Sequence, residues 1–186
     1  MEKIKLSDYF KLTDERKKEI KQNILDNYKS LPKGLKISIA ASNYDLDKIF
    51  NRTYNGYLAE LKVLKHLQEK NPTQDWHFIN DDAGYYYLTE APGNAPDLIN
   101  NEGITIEVKN YIIYNNTVYF ISLYRDFDKL WAGMFHNADY LAIIDNNTVY
   151  ICDKETFKNN VITEPNNFDP TYKTNWILTV DKTIQI

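Results

Sequence analysis

The stretch Ala95-Pro96-Asp97-Leu98-Ile99-Asn100-Asn101-Glu102-Gly103-Ile104-Thr105-Ile106-Glu107-Val108-Lys109 constrains the fold more tightly than any other part of the chain. Two short apolar runs flank Asn101-Glu102-Gly103. That spacing predicts a tight antiparallel hairpin whose three-residue loop ends in a glycine, the residue that takes positive φ without steric cost. With the loop closed, Asn100 faces Ile104, and counting back along both strands sets Asp97 opposite Glu107. Opposed residues in an antiparallel pair point to one side of the sheet. A period of two puts Ile104, Ile106 and Val108 on one face and Thr105, Glu107 and Lys109 on the other. Asp97, Glu107 and Lys109 are therefore expected to converge, with a branched apolar face behind them.

Two carboxylates held side by side repel, and each is costly to ionise unless a cation sits between them. A hard divalent ion such as Mg²⁺, with Mn²⁺ as a substitute, prefers oxygen ligands and keeps several waters. A lysine beside it is a point charge able to orient a water and bind phosphate. The set suits metal-assisted phosphodiester hydrolysis. The bland alternative is a cross-strand ion cluster on a solvated sheet face, contributing roughly 0.2–1 kcal/mol per pair.

Pro96-Asp97 followed by Glu107-Val108-Lys109 resembles the PD-(D/E)xK signature of the restriction-endonuclease-like nucleases. The letters alone do not decide it, because Glu-x-Lys also occurs at Glu15-Arg16-Lys17, Glu19-Ile20-Lys21 and Glu60-Leu61-Lys62. Those three lie in helical patterns, where residues two apart point to different sides. Only Glu107-Val108-Lys109 follows an Asp-bearing strand.

The chain has 186 residues, 43% of them hydrophobic and 26% charged, and this is expected to form one soluble domain with a real core. Its single cysteine, Cys152, excludes an internal disulfide framework and fits a reducing compartment. No apolar run is long enough to span a bilayer and no apolar h-region follows Met1-Glu2-Lys3, so a cytoplasmic location is expected. A net charge of −4 argues against strong autonomous DNA binding. No helix-turn-helix, zinc-finger or basic-region pattern appears.

Along the chain, residues 7–28 read as a helix containing a cap at Thr13, and Ser42 with Asp45 resembles a capping box ahead of Leu46, Ile49 and Phe50. Thr53–Lys70 is the strongest helical pattern, with Tyr54, Tyr57, Leu58, Leu61, Leu64 and Gln68 on one face. Glu60 falls beside Leu64 and Leu67 at the edge of that stripe, where a carboxylate is paired, hydrated in a cleft or ligating a metal. Trp76–Ile79, Tyr85–Thr89, Val118–Leu123, Asp139–Asp145, Thr148–Cys152 and Trp176–Val180 read as strands. Asp126 caps a short helix carrying the aromatic stripe Phe127, Leu130, Trp131, Met134 and Phe135, read as core. Asp81-Asp82 reads as a turn, and Gly93-Asn94 lies in a loop able to approach a phosphate backbone. His66, His77 and His136 show no zinc spacing and read as structural or solvated.

The order of these elements over Thr53–Asp145 is similar to the restriction-endonuclease-like core: an α/β fold with a central mixed sheet flanked by helices, plus N-terminal helices. The expected organisation is one nuclease domain over 1–186, with an N-terminal helical region (1–52), a catalytic core (53–145) and a C-terminal strand extension (146–186). The resemblance implies a catalytic set of Glu60, Asp97, Glu107 and Lys109, with Asp97, Glu107, the Val108 carbonyl and Glu60 as metal ligands. It implies double-stranded DNA as substrate. The small size, acidic balance and missing recognition module resemble the cleavage-only small subunit of a heterodimeric type IIS restriction enzyme, whose larger partner recognises the target. A junction-resolvase-like self-sufficient nuclease and a non-enzymatic interaction protein are the alternatives.

Overall fold

The computed structural model describes residues 3–81, 83–89, 95–122, 124–146, 148–165 and 174–180. In chain order its elements are β1 (Lys3–Lys5), α1 (Leu6–Tyr9), α2 (Asp14–Asp26), α3 (Lys33–Ala41), α4 (Leu46–Lys70), β2 (His77–Phe78), β3 (Tyr85–Tyr87), β4 (Leu98–Ile99), β5 (Thr105–Asn110), β6 (Thr117–Ser122), α5 (Phe127–Met134), β7 (Tyr140–Asp145), β8 (Thr148–Asp153), α6 (Lys154–Asn160), β9 (Val161–Pro165) and β10 (Thr174–Thr179). They form two compact units, Met1–Leu58 with Asp82–Gly93, and Ala59–Asp81 with Asn94–Ile186.

In the first unit the helix expected over 7–28 is broken in two. Thr13 starts α2, its hydroxyl accepting from Arg16 N–H at 3.4 Å, because a cap has extended rather than helical backbone. The capping box at Ser42 is not formed either. Asp45 alone caps α4, accepting from Lys48 N–H at 3.1 Å, while Ser42 is buried at the end of α3. The helix expected from Thr53 thus begins at Leu46 and runs unbroken, with Thr53 Oγ1 bonding back to Ile49 O inside it. Leu6, Tyr9, Ile24, Ile39, Leu46, Ile49, Phe50 and Tyr86 make this unit's core, and β1 pairs antiparallel with β3. The Tyr85 strand therefore belongs to a separate ribbon and not to the central sheet.

The second unit is a mixed α/β structure built on a five-stranded sheet in the order β2-β4-β5-β7-β8. The hairpin forms as its spacing predicts. Leu98 pairs with Ile106 and Ile99 with Thr105, and Asn100 N–H bonds to Ile104 O at 3.1 Å. Asn100 is buried, and its side-chain carbonyl also accepts from Glu102 and Ile104 N–H groups at 3.0 and 2.9 Å, which ties the loop down. Gly103 has φ +82°, and a β-carbon there would meet nothing within 4 Å. Only the left-handed backbone resists substitution. Gly103→Ala is expected to cost about 1–2 kcal/mol, read as a lower denaturant midpoint with unchanged slope.

Strand β5 runs parallel to β7, and the connection between them passes through β6 and α5. β7 pairs antiparallel with β8. Helices flank both faces of this sheet. On one face Ile106, Val108, Ala142, Ile144, Val149 and Ile151 pack with Ala59, Val63, Leu64 and Leu67 of α4. On the other, Leu141, Ile143 and Cys152 pack with Phe120, Leu130, Trp131, Phe135, Phe157 and Trp176. The aromatic stripe of α5 is core, as its spacing indicates, and Asp126 caps it by accepting from Lys129 N–H at 3.0 Å. Each fully buried aliphatic or aromatic side chain here contributes about 1.5–3 kcal/mol.

Two expectations change in this unit. β6 does not join the central sheet; it pairs with β10, which also pairs with β9. The buried stripe of α4 within the second unit centres on Ala59, Val63, Leu64 and Leu67, leaving Gln68 exposed and Leu58 and Leu61 half-buried. Small Ala59 sits on that stripe, and the branched face of β5 packs there. Leu123, Asn147, Asp82 and the expected Glu90–Asn94 loop with Gly93 and Asn94 lie outside the described residues.

Candidate active site

The ladder pairs Leu98 with Ile106 and stops there; Asp97, expected opposite Glu107, instead directs its N–H to Ile106 O as well, so the chain bulges where it enters the hairpin. Asp97 seals that end of the sheet. Its N–H donates to Ile106 O at 3.0 Å, its carbonyl accepts from Ile79 N–H at 3.1 Å, and its Oδ2 accepts from Val108 N–H at 2.7 Å. The carboxylate is thereby fixed against the backbone of the residue between Glu107 and Lys109.

Glu107 is 2% exposed, so the centre of the cluster is buried, while Asp97, Lys109, His136 and Glu60 around it are half-buried. The register explains this, since Glu107 lies beside Leu141 of β7, whose side chain belongs to the aromatic core. A buried carboxylate needs partners for both oxygens. Lys109 Nζ ion-pairs with Oε1, and His136 Nδ1 stands 3.0 Å from Oε2. Glu60 does not pair with Lys109. On the helix wheel it falls between Leu64 and Leu67, half-buried beside them, and among the described residues its carboxylate has no hydrogen-bond or ion-pair partner.

The electrostatics show that these carboxyls sense one another. Burial, then the charges of Asp97 and Glu107, push the Glu60 carboxyl up to about 8, with Lys109 opposing. Burial, then Glu107, push Asp97 up to about 6, offset in part by the Val108 N–H, Lys109 and His136. A carboxyl raised in the folded state favours its protonated form. Its penalty is absent below the unfolded pKa and grows as pH rises through the folded one. In EDTA the melting temperature is therefore expected to fall between about pH 4 and pH 8, and Glu60→Gln to flatten the upper part of that fall. Thermal unfolding across that range measures both. A slope unchanged by Glu60→Gln would show that Glu60 does not share the field of Asp97 and Glu107.

Among the described residues no three His, Cys, Asp or Glu side chains are gathered closely enough to enclose a cation by themselves. The donor set nevertheless fits Mg²⁺, which takes one or two carboxylates and keeps its remaining positions for water and substrate.

His136 is the group that the sequence reading missed at this site. It follows α5 in a turn where His136 and Asn137 both adopt left-handed backbone, φ +50° and +56°. Phe135 and Ala138 are buried on either side, and Trp131 Nε1 donates to Ala138 O at 2.8 Å, anchoring the turn. The available signal was His-Asn, two types that tolerate this backbone, at the end of a helical stripe and just before the strand that neighbours β5. His77 instead caps its own loop, with Nδ1 3.0 Å from Asp75 O. Tyr111 packs edge-on against Phe120, centroids 4.9 Å apart, while Tyr114 is exposed. Cys152 is buried with its thiol pushed up to about 12, which makes it a core residue.

No family model, curated protein or solved structure matches the chain. No helix is long and apolar enough to cross a membrane among the described residues.

Proposed function

We propose that the protein is a metal-dependent DNA endonuclease subunit. The observation that carries this reading is the buried Glu107 carboxylate paired with Lys109, with the Asp97 carboxylate held on the N–H of the intervening Val108 and Glu60 near enough to be affected by their charge. Asp97, Glu107 and the Val108 carbonyl would hold Mg²⁺ or Mn²⁺, with Glu60 acting through a second ion or a bound water. Such an ion, when bound, neutralises phosphate charge and acidifies water. Lys109, released from Glu107, orients the attacking water and offsets charge on the phosphorane-like transition state. The water oxygen bonds to phosphorus, the P–O3′ bond breaks, and the products are a 5′-phosphate and a 3′-hydroxyl.

The acidic balance and the lack of a recognition motif support a cleavage-only role, in which a larger type IIS partner selects double-stranded DNA and this chain cuts one strand. The N-terminal helices, Ser7–Phe50, are the proposed docking surface for that partner. One reduced cysteine fits work in the cytoplasm. The Lys109–Glu107 pair also suits a non-enzymatic protein with an ion cluster, because the pair satisfies itself without a metal.

Fusion to an unrelated sequence-specific DNA-binding domain separates the two. With Mg²⁺, the fusion is expected to nick DNA beside the tethered site, leaving ligatable ends. Site-directed nicking absent from every metal and spacing tested would favour the ion-cluster reading.

A further inference from the structure

The geometry points to His136 as a positioning residue that holds Glu107 in its working orientation, an inference that rests on the metal-dependent reading above. Glu107 is nearly sealed from solvent, and its two oxygens are divided between two partners, Lys109 on Oε1 and His136 on Oε2 at 3.0 Å. A carboxylate only accepts, so Nδ1 is the donor, and this hydrogen bond sets the ring's tautomer. The partners differ in what anchors them. Lys109 is a flexible side chain two residues along the same strand, and the proposed reaction calls it away to water and phosphate. His136 is carried on a turn pinned by buried Phe135 and Ala138 and by the Trp131 indole.

When Lys109 leaves, His136 is the contact that keeps the buried carboxylate from rotating, and Oε1 is the oxygen left to take a cation. The left-handed backbone at both His136 and Asn137 fits this role, since strain of this kind persists where the surroundings over-determine it. Hydrogen bonds that orient ligating carboxylates in this way typically change metal affinity by an order of magnitude or more when removed.

The test is calorimetric titration of the full chain with Mn²⁺, alongside thermal unfolding to confirm that each variant folds. His136→Leu is expected to weaken Mn²⁺ binding roughly 10–100-fold, and His136→Asn, whose amide N–H reaches the position of Nδ1, to recover most of that loss. Should His136→Leu not fold, His136→Gln takes its place, because its amide reaches toward Nε2 and misses Oε2. Variants that bind like wild type, or weaken equally without rescue by asparagine, overturn the positioning role and leave the metal-dependent reading intact. Wild type that binds no Mn²⁺ overturns the metal-dependent reading and this inference with it.

Discussion

Glu107→Ala is expected to abolish tethered DNA cleavage, lowering the rate at least about 10²–10³-fold, as loss of a group acting directly on the reacting charge does. The substitution removes the carboxylate at the centre of the cluster, the partner of both Lys109 and His136. It also removes one of the charges that raise Asp97 and Glu60, so both carboxyls should fall in part, burial still holding them above their ordinary range. Loss of cleavage in a variant that still folds cooperatively, though with a lowered melting temperature, is the expected pairing, read by plasmid nicking and thermal unfolding on the same preparation. Full activity in the variant would mean that Glu107 neither holds a metal nor shapes the site.

Lys109→Met is expected to produce the largest loss of stability at this centre. It leaves a carboxylate 2% exposed with only the His136 contact, near two other acidic groups. Removing one partner of a buried ion pair costs about 3–5 kcal/mol, whereas an exposed pair is worth 0–1 kcal/mol. The double variant Lys109→Met with Glu107→Gln should recover much of that loss, because neither a buried charge nor its stranded partner remains. Denaturant melts of the two single variants and the double variant test the cycle. A loss below about 1 kcal/mol for Lys109→Met would place the pair in effectively solvated surroundings.

The hairpin was legible because its signals are local. Asn101-Glu102-Gly103 fixes the turn, and the turn fixes the register of Leu98 and Ile99 against Ile106 and Thr105; the shift at Asp97, whose N–H also goes to Ile106 O, was not legible from that count. Asp126 and Thr13 were legible as caps for the same reason, each satisfying an N–H three residues on. The partners of β3 and β6 were not legible, since which strand they pair with depends on segments far along the chain. Rotation of the α4 stripe toward Ala59 and Val63 was hidden by the larger side chains at Tyr57, Leu58 and Leu61, which dominate a helical wheel although the sheet packs on the smaller ones. His136 was hidden because its contact spans 29 residues and depends on a left-handed turn that no periodicity announces.

The central claim, that Asp97 and Glu107 hold a divalent cation, is tested most directly by crystals of the protein soaked in Mn²⁺ and read by anomalous scattering. The account predicts a peak bounded by the Asp97 and Glu107 carboxylates and the Val108 carbonyl, with Lys109 displaced from Glu107 and His136 still on it. Saturating Mn²⁺ with no peak there, and Lys109 still paired to Glu107, would contradict it.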